Sequence, residues 1–529
     1  MKPRLLHLAL LPLCAAIGLT HGLEADSQTG RLGTVSFATS CDPKVQPAFE
    51  RSVALLHSFW YSAAEKAFRD VLKEDPSCAI ATWGVAAILM SNPLAGQGAS
   101  AKGAVDAQAA IDEGRRIGAK TERERDYIEA VAAYYSDFSS RSERDRQLSR
   151  AKAYEALAQK YPTDDEAQIF SALYTAGTQT QADQTYAAYL KAAAILEEQF
   201  RKHPDHPGVA HYLIHSYDAP PIAGKGLDAA RRYASIAPAA PHALHMPSHI
   251  FTRVGAWQES VATNARSQEV AKAAGDADEA YHAVDYMVYA YLQLARDADA
   301  RGAIDEAMKV GGISPRHTAP YAKAAMPARY ALERGAWKEA AQLQPPGSNY
   351  PYVESITYFA RALGAARSGD LDSARKDAAQ LEAFHKTLLA AKNNYWATEV
   401  EVQRLAAAGW IALGEGNSEQ ALKLMRAAAD LEDHSEKSIV TPGRVVPARE
   451  LLGDMLLEMK QPAAALKEFE MSQQREPNRY RNFHGAARAA EMAGDRAKAA
   501  EYYGKLLALT KDSDSSRPEL VRAKAYALR

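Results

Sequence analysis

Eight of the chain's 15 histidines fall between His203 and His282, and imidazole is the side chain that most often ligates zinc or copper through nitrogen. Within this span the segments Pro204–His211 and Pro238–His245 correspond at an offset of 34 residues. The offset pairs Pro204 with Pro238, Pro207 with Pro241, His211 with His245 and His215 with His249. Each copy therefore carries H-x3-H, and residues four apart share one helix face. Counted from Pro207 and Pro241, these histidines take positions 5 and 9, with His242 at position 2 of its copy and Asp218 at position 12. Neighbouring helices pack about 8–10 Å apart, so His211, His215, His245 and His249 can converge on one volume and hold a single tetrahedral Zn or Cu ion. Asp218 or Asp285 would then be a further ligand or an acceptor behind a ligand. His282, Asp285, Tyr286 and Tyr289 share one face of a following helix, and His282 becomes the counterpart of His245 if that repeat is three residues longer.

Two other chemistries suit the same residues. Histidine and tyrosine on facing helices also build metal-free hydrogen-bond networks that fix register. A metal-bound water beside Glu279 or Asp285 would instead make a metal-dependent hydrolase. The zinc-protease signature is missing, because Tyr212 rather than glutamate follows His211. The chain also lacks a nucleophile elbow, a Walker loop, a dinucleotide fingerprint and a haem-attachment motif. Pro247, between His245 and His249, removes an amide and crowds the carbonyl of Ala243, which costs about 3 kcal/mol inside a helix. The helix there must start late or kink. Farther along, Arg481, His484 and Arg488 take positions 2, 5 and 9 of another repeat. They form either a grip for a partner's carboxylate or a solvated basic face.

The elements that position these residues repeat with the same period. Leu452-Gly453, Ala465, Phe469 and Pro477 follow one another as the landmarks of the 34-residue tetratricopeptide pattern, and a shift of 34 carries Ala465 to Ala499 and Phe469 to Tyr503. Ala64, Phe68 and Pro76 show the same spacing near the N-terminus, and Gly335 and Gly369 are also 34 apart. Small residues let two helices of a hairpin approach closely, and the aromatic fills the gap between hairpins. Trp60, Tyr61 and Trp83 in the first hairpins suit interface core. Glycine marks the hairpin turns and proline the junctions, Pro442-Gly443 reads as a turn, and Pro447 suits the first turn of the next helix. The segments 311–317 and 345–351 read as irregular joints. The expected fold is an all-α helical-hairpin solenoid wound as a right-handed superhelix. Its parts are a signal peptide (1–25), an N-terminal segment (26–45), a histidine-bearing array (46–350), a second array (351–515) and a tail (516–529).

A chain of 529 residues with 47% hydrophobic and 24% charged content is folded, not disordered. Its 63 basic and 65 acidic side chains leave a formal net charge of −2, so no global field recruits nucleic acid. Lys2 and Arg4 precede the apolar run from Leu5 to Leu19, which reads as a cleaved secretory signal with processing after Gly22 or Ala25. Leu13 before Cys14 departs from the small residue that a lipid-attachment signal requires. Beyond this segment no apolar stretch reaches the roughly 20 residues that span a bilayer. Cys41 and Cys78 remain, and in an oxidising compartment an even pair reads as one disulfide, the other reading being two buried thiols.

Leu55 to Tyr61, His211 to Asp218, Ala243 to Trp257 (A-L-H-M-P-S-H-I-F-T-R-V-G-A-W) and Val440 through Glu450 together resemble a family of exported bacterial tetratricopeptide-repeat proteins. The resemblance implies a helical-repeat fold outside the cytoplasm and carries no established activity. The expected function is an exported scaffold that binds a protein or peptide in its concave groove, with a histidine-lined metal site. The alternative is a Zn or Cu protein, or a hydrolase on the same histidines.

Overall fold

A computed structural model describes residues 30–96, 98–312 and 318–528. The signal segment and Cys14 lie outside the described residues, as do 313–317 of the first irregular joint. The described residues form α-helices and two short 3-10 turns, with no strand among them. None of these helices is long and apolar enough to cross a membrane.

Successive helices pair as antiparallel hairpins, and the repeat landmarks do the packing expected of them. Phe469 is fully buried, and a Cβ added at Gly453 would sit 2.6 Å from its ring; one at Gly485 would overlap the same ring. Two helices therefore close on Phe469 only because each presents a hydrogen where other residues carry a side chain. Gly84 has the same relation to Phe68, at 2.5 Å, and Ala64, Ala465 and Ala499 are fully buried beside them. Replacing Gly485 with valine should cost about 1–3 kcal/mol through overpacking, read as a lower urea midpoint at unchanged slope. An unchanged midpoint would contradict this packing. At the N-terminal end Phe37 inserts between Phe49, Trp83 and Tyr127, and Cys41 and Cys78 form a disulfide.

The array does not remain open. Between the helices Ser418–Asp433 and Ala448–Glu458 the chain runs as a non-helical strap whose residues 435–443 are all buried. Polar composition alone would put Ser435-Glu436-Lys437-Ser438 at the surface. The strap stays buried because earlier parts of the chain satisfy it. Glu436 N donates to Gln181 O (2.8 Å) and Tyr186 Oη donates to Glu436 Oε1 (2.8 Å). Arg329 Nη2 donates to Thr441 Oγ1 (2.8 Å) and to Gly443 O (2.9 Å), and Tyr286 Oη donates to Thr441 O (3.1 Å). Farther on, Trp257 Nε1 donates to Asn478 O (2.7 Å), Tyr480 N to Gln293 Oε1 (3.0 Å), and Arg517 pairs with Asp297. The later hairpins are thus docked on the earlier ones, and the strap runs across the histidine-bearing helices.

Candidate metal centre

Four helices converge beneath the strap. Pro207–Ser216 starts at a proline in its first turn with His206 as N-cap, and it presents His211 and His215 inward. Pro241–His245 is interrupted at Met246 and followed by Pro247–Val254. This is the consequence of Pro247: the helix is cut in two, yet Met246 keeps helical dihedrals and His245 and His249 still meet, with their Nε2 atoms 3.1 Å apart. Ala277–Gln293 begins at the side-chain cap Asp276 and brings His282 against His245, ring centroids 4.1 Å apart.

The histidines fall into two trios, His211 with His215 and His242, and His245 with His249 and His282. Within each, the candidate ligand atoms lie within 4.8 Å of one another. His242 and His282 are therefore as central as the four positions of the repeated H-x3-H. The trios adjoin: His215 and His249 have ring centroids 5.4 Å apart, and His242 and His245 5.8 Å. His211 and His245 are fully buried, and His215, His249 and His282 are 3%, 1% and 5% exposed.

Hydrogen bonds fix the tautomers of four rings. His211 Nδ1 donates to the carbonyl of His57 (2.7 Å), and His242 Nδ1 donates to Glu279 Oε1 (3.0 Å). His249 Nδ1 donates to Asp218 Oδ2 (2.8 Å). Asn264 gives its own Nδ2 to Ser260 O (2.7 Å), so it turns Oδ1 to accept from His245 Nδ1 (2.7 Å). Each neutral ring thus gives its one proton outward and turns an Nε2 lone pair inward, the one on His249 facing the Tyr286 hydroxyl at 3.4 Å. A metal-binding histidine is oriented in this way, its second nitrogen held by a carboxylate or carbonyl. Among the described residues His211 Nε2, His242 Nε2 and both ring nitrogens of His215 accept no hydrogen bond. Burial, reinforced by the neighbouring imidazoles, holds His211, His215 and His245 well below the ordinary histidine value. The neutral ring is the form that ligates.

The carboxylates stand behind the rings. Both oxygens of Asp218 are occupied, Oδ2 by His249 and by Lys437 Nζ (3.3 Å), Oδ1 by Arg253 Nε (2.8 Å). Burial pushes this carboxyl up, but Lys437 and Arg253 outweigh burial and hold it well below the ordinary range. Asp285 faces Arg329 Nε at 3.4 Å, and burial raises it to about 6. Tyr289 turns away from the histidines to Glu476 (3.1 Å) and Arg479. The sequence pattern did not single out Asn264, Arg253, Lys437 or the carbonyl of His57. None belongs to the H-x3-H period, and Lys437 arrives from 219 residues away.

Another histidine group contrasts with these. His57 Nε2 and His206 Nε2 each donate to Glu166, at 2.9 Å. His57 Nδ1 accepts from Tyr212 Oη (2.9 Å) and His206 Nδ1 from Val209 N (3.3 Å). Every nitrogen there has a protein partner, so that network is complete without an ion. In the second array, Arg481 is already paired with Asp454. His484 and Arg488 line an open cleft of about 230 Å³ beside Trp337, Arg367 and Glu458, with Arg488 Nε unpaired among the described residues.

No protein-family model matches the chain, and no curated protein does. Among solved structures, a chain of the crystal structure of the APC/C hetero-tetramer Cut9-Hcn1 aligns over 92% of this chain and 89% of its own, at 14% identity and a TM-score of 0.30. A likeness that distant carries no weight for function, and the helical-repeat fold rests on the hairpin packing itself.

Proposed function

We propose that this protein binds a transition-metal ion in the buried histidine chamber. The observation that carries the reading is the His245–His249 contact. Both Nδ1 atoms are committed as donors to Asn264 and Asp218, so two Nε2 lone pairs face each other at 3.1 Å, with the Tyr286 hydroxyl 3.4 Å from that of His249. Neutral rings would repel in that arrangement. Two nitrogens on one tetrahedral ion, each bonded at about 2.0–2.1 Å, stand roughly 3.3 Å apart, and His282 supplies a third donor. Burial of five of the six rings favours holding an ion over turning over a bulky substrate. The Cys41–Cys78 disulfide fits an exported protein, because such bonds persist in oxidising compartments.

The test is elemental mass spectrometry on chain exported in vivo and purified without chelator or histidine tag, beside a His245→Ala/His249→Ala variant. At least one zinc or copper per chain is expected, reduced in the variant. Stoichiometric metal unchanged in the variant, or no metal and no uptake of added ions, would overturn the reading.

Partner binding is a second reading, on a different surface. Hairpin arrays favour recognition of other chains, but the strap covers the histidine face. A partner carboxylate would instead meet the cleft of Arg367, His484 and Arg488, where Arg488 Nε is unpaired.

A further inference from the structure

From the two histidine trios we infer that the chamber is built for a pair of copper(I) ions, one on His211, His215 and His242 and the other on His245, His249 and His282. The inference rests on the metal-binding reading above and deepens it by number and kind of ion. Six imidazoles exceed the four donors that one such ion takes, and the first trio has its own case independent of the His245–His249 contact. His211 Nε2 and His242 Nε2 are buried lone pairs with no donor among the described residues, and neither ring nitrogen of His215, one of which is a third lone pair, has a hydrogen-bond partner there. An unsatisfied buried polar atom is destabilising, and here several converge within 4.8 Å. Two of the three rings are pinned from behind, by the His57 carbonyl and by Glu279. The fully satisfied network of His57, Glu166 and His206 shows how the same fold closes a histidine cluster that needs no ion.

Donor type and charge select the metal. Every first-row candidate would meet neutral nitrogen only, a set that suits copper and zinc but not magnesium, calcium or manganese. The nearest carboxylates, Asp218 and Glu279, are spent on the outer nitrogens of His249 and His242, and Arg253 and Lys437 already balance Asp218. Two divalent ions would place four positive charges in a buried volume with little negative charge to offset them, which is costly at low dielectric. Two monovalent ions halve that charge. Zinc also calls for a fourth ligand, whereas copper(I) is content with three imidazoles in a plane. Rings of different trios stand nearly as close as some rings within one, 5.4 Å for His215–His249 against 5.0 Å for His211–His215. The two ions would therefore be near neighbours.

The test is anaerobic titration of the metal-free full-length chain with copper(I) against a colorimetric chelator, in the wild type and in His242→Gln and His282→Gln, each variant checked by circular dichroism. Two copper(I) per wild-type chain and one per variant are expected. A crystal of the copper(I)-loaded wild type should then show two neighbouring copper anomalous peaks, one at each trio, and each variant a single peak. One copper per wild-type chain, lost in both variants, would overturn the pair while leaving a single metal centre intact. Two copper ions per chain without neighbouring peaks in the chamber would overturn their adjacency, and preference for zinc at two per chain would overturn the choice of metal. No uptake of either metal would overturn the pair and the metal-binding reading together. If a glutamine variant fails to fold, the wild-type stoichiometry and anomalous peaks still decide.

Discussion

Replacing Arg479 with methionine should destabilise the protein by about 3–5 kcal/mol. Arg479 is fully buried and donates to Glu333 Oε1 (2.6 Å), Glu450 Oε1 (2.7 Å) and the hydroxyl of Tyr289. These partners come from three helices, Ala277–Gln293, Thr318–Glu333 and Ala448–Glu458, so one guanidinium ties the later hairpins to the earlier ones. Methionine fills much of the space but leaves two buried carboxylates without the cation that bonds them both. The cost comes from the stranded charges, not from a lost bond. The variant with Glu333→Gln and Glu450→Gln added should therefore recover a large part of the loss, because neutral groups in the same volume carry no such penalty. Chemical denaturation of the three proteins measures this. A loss below about 1 kcal/mol for Arg479→Met, or no recovery in the triple variant, would contradict the charge argument.

Asp218→Asn should weaken metal binding by about 10- to 100-fold, the usual effect of removing the acceptor behind a ligand histidine. Asp218 fixes the His249 tautomer with one oxygen and receives Arg253 and Lys437 besides. An asparagine keeps the shape and one acceptor, but it leaves Lys437 buried with the carboxylate it bonds neutralised. Lys437 belongs to the strap, so the same substitution should loosen the strap over the chamber. Competition with a chelator of known affinity gives the first effect, and hydrogen exchange of the amides of 435–443 gives the second. Unchanged affinity together with unchanged exchange would show that Asp218 neither orients the ligand nor anchors the strap.

The helical repeat was legible because its signals are local. Phe469 and Gly485 stand in the same order and spacing as Phe68 and Gly84, and both pairs pack as close-approach glycine against aromatic. The histidine face was legible for the same reason, since a 34-residue offset placed His211 and His245 at one position of adjacent hairpins. How the rings would group was not. His242, three residues before His245, reaches across to His211 (ring centroids 5.1 Å apart), and His282 enters from a longer repeat whose register the pattern left open. The strap was least visible. Ser435 to Ser438 carry polar side chains, and partners distant in sequence make their burial possible, among them the Gln181 carbonyl, the Tyr186 hydroxyl, the Asp218 carboxylate and the Arg253 guanidinium. Long-range satisfaction of that kind leaves no periodic trace.

The most direct test of the histidine chamber is a crystal of chelator-free protein measured on both sides of the copper and zinc absorption edges. An anomalous peak about 2.0–2.1 Å from the Nε2 atoms of His245 and His249 is the result this account predicts. A fully ordered chamber with no peak after soaking in either metal, the two nitrogens bridged instead by a proton or a water, would contradict it.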